Sequence, residues 1–173
     1  RRFVEQNGFV AVHNAPEIVG ITGACENVDT LFKVDFFGER AYLAQSDQLY
    51  LELITPALGK VYAEIQSFRM EPEADDRHLC QFSLFEIEHL GNLDDLIGNL
   101  SGIVRSAVVE VLDTCGADLE RHFGRDLNAL RALEFKRVTY TEAVEMLRPM
   151  FPALEWGDDL KATHERELTQ MLG

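Results

Sequence analysis

Lys60-Val61-Tyr62-Ala63-Glu64-Ile65-Gln66-Ser67-Phe68-Arg69-Met70 and Leu79-Cys80-Gln81-Phe82-Ser83-Leu84-Phe85-Glu86-Ile87-Glu88-His89 read as two long strands. They are rich in β-branched and aromatic residues, and the polar loop Glu71-Pro72-Glu73-Ala74-Asp75-Asp76-Arg77 joins them. Side chains alternate along a strand, so Arg69 and Glu71 point to the same face. On the returning strand His78, Phe82, Glu86 and Glu88 share one parity, and Arg77 sits where the loop re-enters. A cation, a carboxylate, a second cation, an imidazole and an aromatic ring thus converge on one sheet surface. Arginine forks onto phosphate oxygens and phenylalanine stacks on a base, so this surface suits a purine nucleotide. The same pattern also fits a half-solvated hairpin with its charges turned outward, and the residues alone leave both readings open.

Working outward, residues 1–7 read as the end of a helix stopped by Asn7-Gly8, and Phe9–His13 as a short strand closed before Pro16. Residues 14–30 read as loop. Leu31–Phe37 and Arg40–Ala44 form a hairpin turned at Gly38-Glu39. Ser46 is the expected N-cap of a helix over 47–55, with Leu49, Leu53 and Ile54 on its inner face. Residues 92–114 form the clearest helix, with apolar residues at three–four spacing from Leu93 to Leu112 and Gly116 beyond its end. Residues 117–134 read as helical or irregular, and Phe135–Val138 as a short strand. Thr139 or Thr141 caps a helix ending before Pro149, and Asp158 or Asp159 caps a last helix over 160–172. Strands joined by hairpins, with helices packed against them, indicate an α+β domain on an antiparallel sheet.

The chain has 173 residues, enough for about one domain with its own core. Its 46% hydrophobic content excludes a disordered chain. No apolar run approaches the roughly 18 residues that span a bilayer, so no membrane association is expected. With 16 Lys and Arg against 30 Asp and Glu, the net charge of −14 argues against broad electrostatic binding of nucleic acid by this segment. Cys25, Cys80 and Cys115 show no zinc spacing and are expected as reduced thiols of a cytoplasmic protein. The chain opens on Arg1-Arg2 without a signal peptide, and the absence of a first Met suggests a start that is clipped or processed. No GxxxxGK[ST], GxGxxG or GxSxG motif occurs.

Ser67-Phe68-Arg69-Met70-Glu71 followed by Arg77-His78-Leu79-Cys80-Gln81-Phe82-Ser83 resembles motif 2 of the class II aminoacyl-tRNA synthetases. Gly8-Phe9-Val10-Ala11-Val12 leading to Pro16 resembles motif 1, with about one extra residue before the proline. Tyr42–Glu52 and Cys25-Glu26-Asn27 are similar to amino-acid-site segments of the aspartyl/asparaginyl subgroup. Val138–Ala143 and Gly157–Leu160 are similar to a linking segment of its asparaginyl branch. The likeness covers nearly the whole chain. It implies a class II synthetase-type antiparallel sheet flanked by helices, with 1–173 a partial catalytic domain (motif 1 about 8–16, motif 2 about 67–83).

The resemblance also implies roles. Arg69 would bind the ATP α-phosphate and stabilise the charge that develops there. Glu71 and Phe82 would hold the adenine, and Arg77 and His78 would meet the outer phosphates. Glu26 would bind the substrate α-ammonium, while Ser46 and Gln48 would orient the amino acid. Where aspartyl enzymes carry a lysine in S-x-Q-x-x-K-Q, this chain has Leu51, followed by Glu52. An apolar residue cannot neutralise a carboxylate, whereas Glu52 can accept a hydrogen bond from a carboxamide and would repel aspartate. That favours asparagine, with a solvated helix-surface charge as the alternative reading of Glu52. The implied reaction is ATP-dependent formation of asparaginyl-adenylate and transfer to tRNA. Mg2+ accompanies the ATP, its ligands unknown, and the implied assembly is a homodimer. Motif 3 and the N-terminal OB-fold anticodon domain are expected to be missing from this segment. Gln81, Ser83 and Asn27 depart from the usual Glu, Thr and Gly. They motivate an alternative, a paralogue that passes the activated carboxylate to ammonia or another small amine, as asparagine synthetases related to the family do. A non-catalytic ligand sensor or dimerisation relative is the third reading.

Overall fold

Nine residues on each side pair antiparallel across the central hairpin, from Lys60↔His89 to Phe68↔Gln81. These are strands β5 (Lys60–Phe68) and β6 (Gln81–His89), numbered in chain order. The computed structural model describes residues 1–22, 28–70, 78–124 and 127–173. It divides the chain into two units, Arg1–Glu110 and Val111–Gly173. The first unit begins with α1 (Arg2–Gln6), closed at Asn7 and Gly8, the latter at φ +81°, as the sequence indicates. Strand β1 (Val10–Ala11) then lies parallel to β5, Val10 opposite Val61, and the sheet order is β1-β5-β6. The antiparallel sheet expected from the hairpins thus also includes one parallel pair. Between β1 and β5 the chain makes a second small sheet and a helix, and a crossover of that length allows parallel return.

The second sheet orders as β2-β4-β3, from β2 (Ile18–Val19), β3 (Lys33–Phe36) and β4 (Glu39–Leu43). Strand β2 falls inside the stretch expected to be loop. At two residues it is too short to show an alternation, and it exists because it pairs with Tyr42 and Leu43. The β3–β4 hairpin turns on Phe37 (φ +55°) and Gly38 (φ +85°), one residue earlier than expected. Two consecutive positive φ values match the right-handed twist of the flanking strands. Asp35 Oδ1 accepts from the Gly38 N–H at 3.0 Å and steadies the turn.

Helix α2 (Gln48–Leu58) covers one face of the β1-β5-β6 sheet, and α1 and α3 (Leu93–Phe123) meet the other. Alternation along β5 divides the two cores. Val61 and Ala63 pack with Leu51 of α2, with Ile54 and Ile65 beside them. Tyr62 packs with Val4 and Phe9, supported by Phe3, Phe85, Ile87 and Ile103. Of the expected inner face of α2, Ile54 packs there, but Leu49 and Leu53 do not. Leu51 is fully buried, while Leu53 is 79% exposed and Leu49 43% exposed. Leu49 and Leu53 extend an equally good stripe in the sequence, and the phase is set instead by how the start of α2 is tied to the sheet. The helix also carries Pro56, and Gly59 at φ +81° ends it.

Helix α3 does not stop near residue 114. It runs through Gly116 to Phe123, so its first part belongs to the first unit and its remainder to the second. A helical glycine costs only about 1 kcal/mol against alanine, too little to end so long a helix. In the second unit α4 (Tyr140–Leu147) starts at Thr139 in a reciprocal capping box with Glu142, as expected. Its Ala143, Val144 and Leu147 form a small core with Leu154 and Leu168, the latter from α5 (Ala162–Leu172). Helix α5 starts after Lys161, not at Asp158 or Asp159. The Asp158 carboxylate accepts from the Glu155 N–H at 2.8 Å and is spent in the preceding turn. Phe135–Val138 is not a strand, since no ladder partner meets it among the described residues.

The Phe3 ring lies directly over Gly102 of α3, and a Cβ at that position would overlap the ring. Gly102→Ala should therefore displace α1 and lower stability by about 1–3 kcal/mol, read from the midpoint of denaturant unfolding.

Candidate functional site

Phe82, Glu86 and Glu88 of β6 pair with Ser67, Ala63 and Val61 of β5, which places all six on the α2 face of the sheet. Arg69 continues β5 with the parity of Ser67, and its N–H donates to the Cys80 carbonyl at 2.9 Å. The Arg69 guanidinium carbon lies 5.4 Å from the centre of the Phe82 ring. A half-buried cation over an aromatic face is a favourable pair, and it leaves a charged group and a stacking surface side by side.

The far end of the same face is acidic. Glu86 reaches the start of α2, accepting from Ser46 Oγ at 2.5 Å and from the Asp47 N–H at 2.8 Å. Ser46 Oγ itself accepts from the Gln48 N–H at 3.0 Å. Ser46 thus acts near the helix start as expected, but the N-cap residue is Asp47. Backbone and side chains of β5 hold the turn from beneath. Ser67, fully buried, donates from Oγ to the Gln45 carbonyl at 2.8 Å, and the Phe68 N–H donates to the Ala44 carbonyl at 2.9 Å. Gln45 Nε2 donates to Thr30 Oγ1 at 2.9 Å. One turn along α2, Gln48 Nε2 donates to Glu52 Oε1 at 2.8 Å on the exposed side of the helix.

Negative charge accumulates around Asp47, where the neighbouring carboxylates are Glu86 and Glu17. Asp47 is 4% exposed, and its Oδ2 finds no hydrogen-bond partner. Burial, then the carboxylates of Glu86 and Glu17, push its pKa up from 3.8 to about 6. Glu88 is also raised, first by burial and then by Glu52 and Glu86, with His89 opposing. The surface therefore has a cationic, aromatic end at Arg69 and Phe82 and an acidic end at Asp47, Glu86, Glu88 and Glu52. An anion belongs at the first, and an ammonium or amide N–H at the second.

The expected site residues divide accordingly. Arg69 and Phe82 come together. Ser46, Gln48 and Glu52 gather at the start of α2 but already engage protein partners. His78 precedes β6 and is exposed. Glu26, Glu71 and Arg77 lie outside the described residues. Sequence reading placed Glu86 and Glu88 on the right face without a role, and it missed Asp47. The parity of β6 was the available signal. Leu51 lies in the core beneath the helix, so the position that carries lysine in S-x-Q-x-x-K-Q brings no cation. Gln81 and Ser83 have the opposite parity to Phe82 and engage Gln66 on the other face of the sheet. Among the described residues no three His, Cys, Asp or Glu side chains are grouped to hold a metal ion. No helix among them is long and apolar enough to cross a membrane.

The central hairpin of this mixed domain thus presents an arginine, an aromatic ring and an acidic helix start on one face. Comparison with known proteins gives that domain its family. The model for "tRNA synthetases class II (D, K and N)" matches residues 1–172, and the chain belongs to that family. It is 39% identical to an asparagine–tRNA ligase of Desulforamulus reducens, over 98% of this chain and 39% of the relative. An asparagine–tRNA ligase of Pyrococcus abyssi is 40% identical over 87% of this chain and 35% of its own length. The crystal structure of asparaginyl-tRNA synthetase from Pyrococcus horikoshii complexed with asparaginyl-adenylate superposes with a TM-score of 0.90 at 36% identity, covering 98% of this chain and 39% of that one. The Entamoeba histolytica asparaginyl-tRNA synthetase in complex with asparaginyl-adenylate gives 0.82 at 30% identity, covering 99% and 38%. The chain thus spans about two-fifths of the length of these relatives.

The raised Asp47 sets the direction of a stability test. A folded-state pKa above the unfolded value means that the protonated form is favoured in the fold. The stability advantage is full below about pH 4 and is lost as pH rises through about 6. Asp47→Asn, which cannot ionise, should melt increasingly above the wild type between those values, with the gap constant at higher pH. Melting curves across that range check it.

Proposed function

We propose that the protein carrying this segment is an asparagine–tRNA ligase: it activates asparagine with ATP, forming asparaginyl-adenylate and pyrophosphate, and transfers the amino acid to tRNA. Residues 1–173 are then part of its catalytic domain, with motif 1 at about 8–16 and motif 2 at about 67–83. The observation that carries the reading is the juxtaposition of Arg69 and Phe82 with an acidic helix start on one sheet face. The relatives support it, being asparagine–tRNA ligases, two of them structures with asparaginyl-adenylate.

Activation needs no nucleophile from the protein. The asparagine carboxylate attacks the α-phosphorus, the bond to the bridging oxygen breaks, and pyrophosphate leaves. The residues position the reactants and stabilise charge. Phe82 offers its face to adenine and Arg69 its guanidinium to the α-phosphate, where negative charge gathers as the new bond forms. Ser46 and Gln48 orient the amino acid. The absence of a cation at Leu51, together with the carboxylates of Glu52, Glu86 and Glu88, favours a carboxamide side chain and disfavours aspartate, whose charge would stay unpaired. Glu26, Glu71, Arg77 and His78 complete the amino-acid and ATP contacts in this reading. Mg2+ would neutralise phosphate charge when bound, and a cytoplasmic homodimer is the expected assembly. The paralogue reading gains nothing from Gln81 and Ser83, which face away from Phe82.

On the full-length protein, ATP–pyrophosphate exchange should respond to asparagine and not to aspartate, and exchange with aspartate alone would overturn the pocket assignment. Arg69→Ala should lower asparagine-dependent exchange by about 10²–10³-fold, as expected for loss of a group that stabilises developing charge. An unimpaired variant would remove Arg69 from the reaction.

A further inference from the structure

Asp47 stands between the two residues expected to orient the amino acid, Ser46 and Gln48, and takes no part in the activation chemistry above. It is buried, its Oδ2 has no hydrogen-bond partner, and its own N–H is held by Glu86. A buried carboxyl left in that state is costly when ionised, unless positive charge comes near or a proton stays on. The charges acting on it all oppose ionisation: Glu86 from β6 and Glu17 from the segment leading into β2. Of the remaining charges on this face, Glu52 of α2 is bonded to Gln48, Glu88 of β6 is acidic too, and Arg69 beyond β5 lies against Phe82.

We propose that Asp47 is a positioning residue of the amino-acid pocket, giving up its proton when a ligand bearing an ammonium group settles beside Ser46 and Gln48, so that occupancy of the pocket is coupled to pH. The inference rests on the reading that this pocket takes an amino acid. The coupling is electrostatic and requires no direct contact with Oδ2. An ammonium held by the neighbouring residues lowers the cost of the Asp47 charge, and the Asp47 charge strengthens the hold on the ammonium by the same amount. The proton leaves to solvent, and nothing else is gained or lost. With a free-state pKa of about 6, binding should tighten as pH rises through that value and weaken as it falls.

The test is the KM for asparagine in ATP–pyrophosphate exchange by the full-length protein, at saturating ATP, from about pH 5 to 8. The wild type should show KM rising on the acid side of about pH 6, by at most about tenfold per pH unit, with kcat changing much less. Asp47→Asn should have a KM several-fold higher than wild type at pH 8 and should flatten that rise, while Glu88→Gln should keep it. A pH step that persists in Asp47→Asn, or is absent from the wild type, overturns the proposal. If the wild type shows no asparagine-dependent exchange, the functional reading has failed. Carbon NMR titration of the Asp47 carboxyl then decides the coupling separately. Saturation with methylammonium as a bare ammonium probe should lower its midpoint, and an unmoved midpoint overturns the proposal.

Discussion

The register of β5 against β6 is the constraint on which the remainder of the first unit depends. Pairing Ala63 with Glu86 and Ser67 with Phe82 fixes which side chains face α2. A slip of one residue would turn Phe85 and Ile87 toward α2 and send Phe82 and Glu86 into the apolar layer formed with α1 and α3. Tyr62 opposes such a slip. Its ring stacks on Phe85 at 5.4 Å between centroids, and its hydroxyl donates to Glu5 Oε1 at 2.8 Å. The apolar core on one face thus enforces the placement of the polar groups on the other.

Glu86 transmits that register to α2. Both of its oxygens are used at the turn before the helix, one by a hydroxyl and one by a backbone N–H. A carboxylate at a helix N-terminus also meets the positive end of the helix dipole. The strand therefore decides where α2 begins and which of its faces lies down, and Leu51 rather than Leu53 goes into the core. This one side chain links the sheet, the helix phase and the acidic end of the site.

Local signals were legible in the sequence wherever they determine local structure. The two long strands, Gly8 after α1 and Thr139 with Glu142 before α4 all appear where alternation, positive φ and capping chemistry put them. Arg69 and Phe82 were legible because parity alone brings them to one face. The misreadings share another origin. Strand β2, the parallel placement of β1 and the phase of α2 are decided by residues tens of positions away, and so is the burial of Asp47. Gly116 and Phe135–Val138 show the reverse error: a local stop or strand signal too weak to prevail without tertiary support. Of the candidate site, the partnership of Ser46 with Glu86, forty residues apart, was the part that no spacing rule could supply.

Strand β6 stands last in the order β1-β5-β6, so among the described residues its outer row of backbone donors and acceptors meets no further strand. Such a margin invites a neighbouring molecule to add itself to the sheet. A strand added there would lie directly beside the row of Phe82, Glu86 and Glu88 and would wall that face of the site.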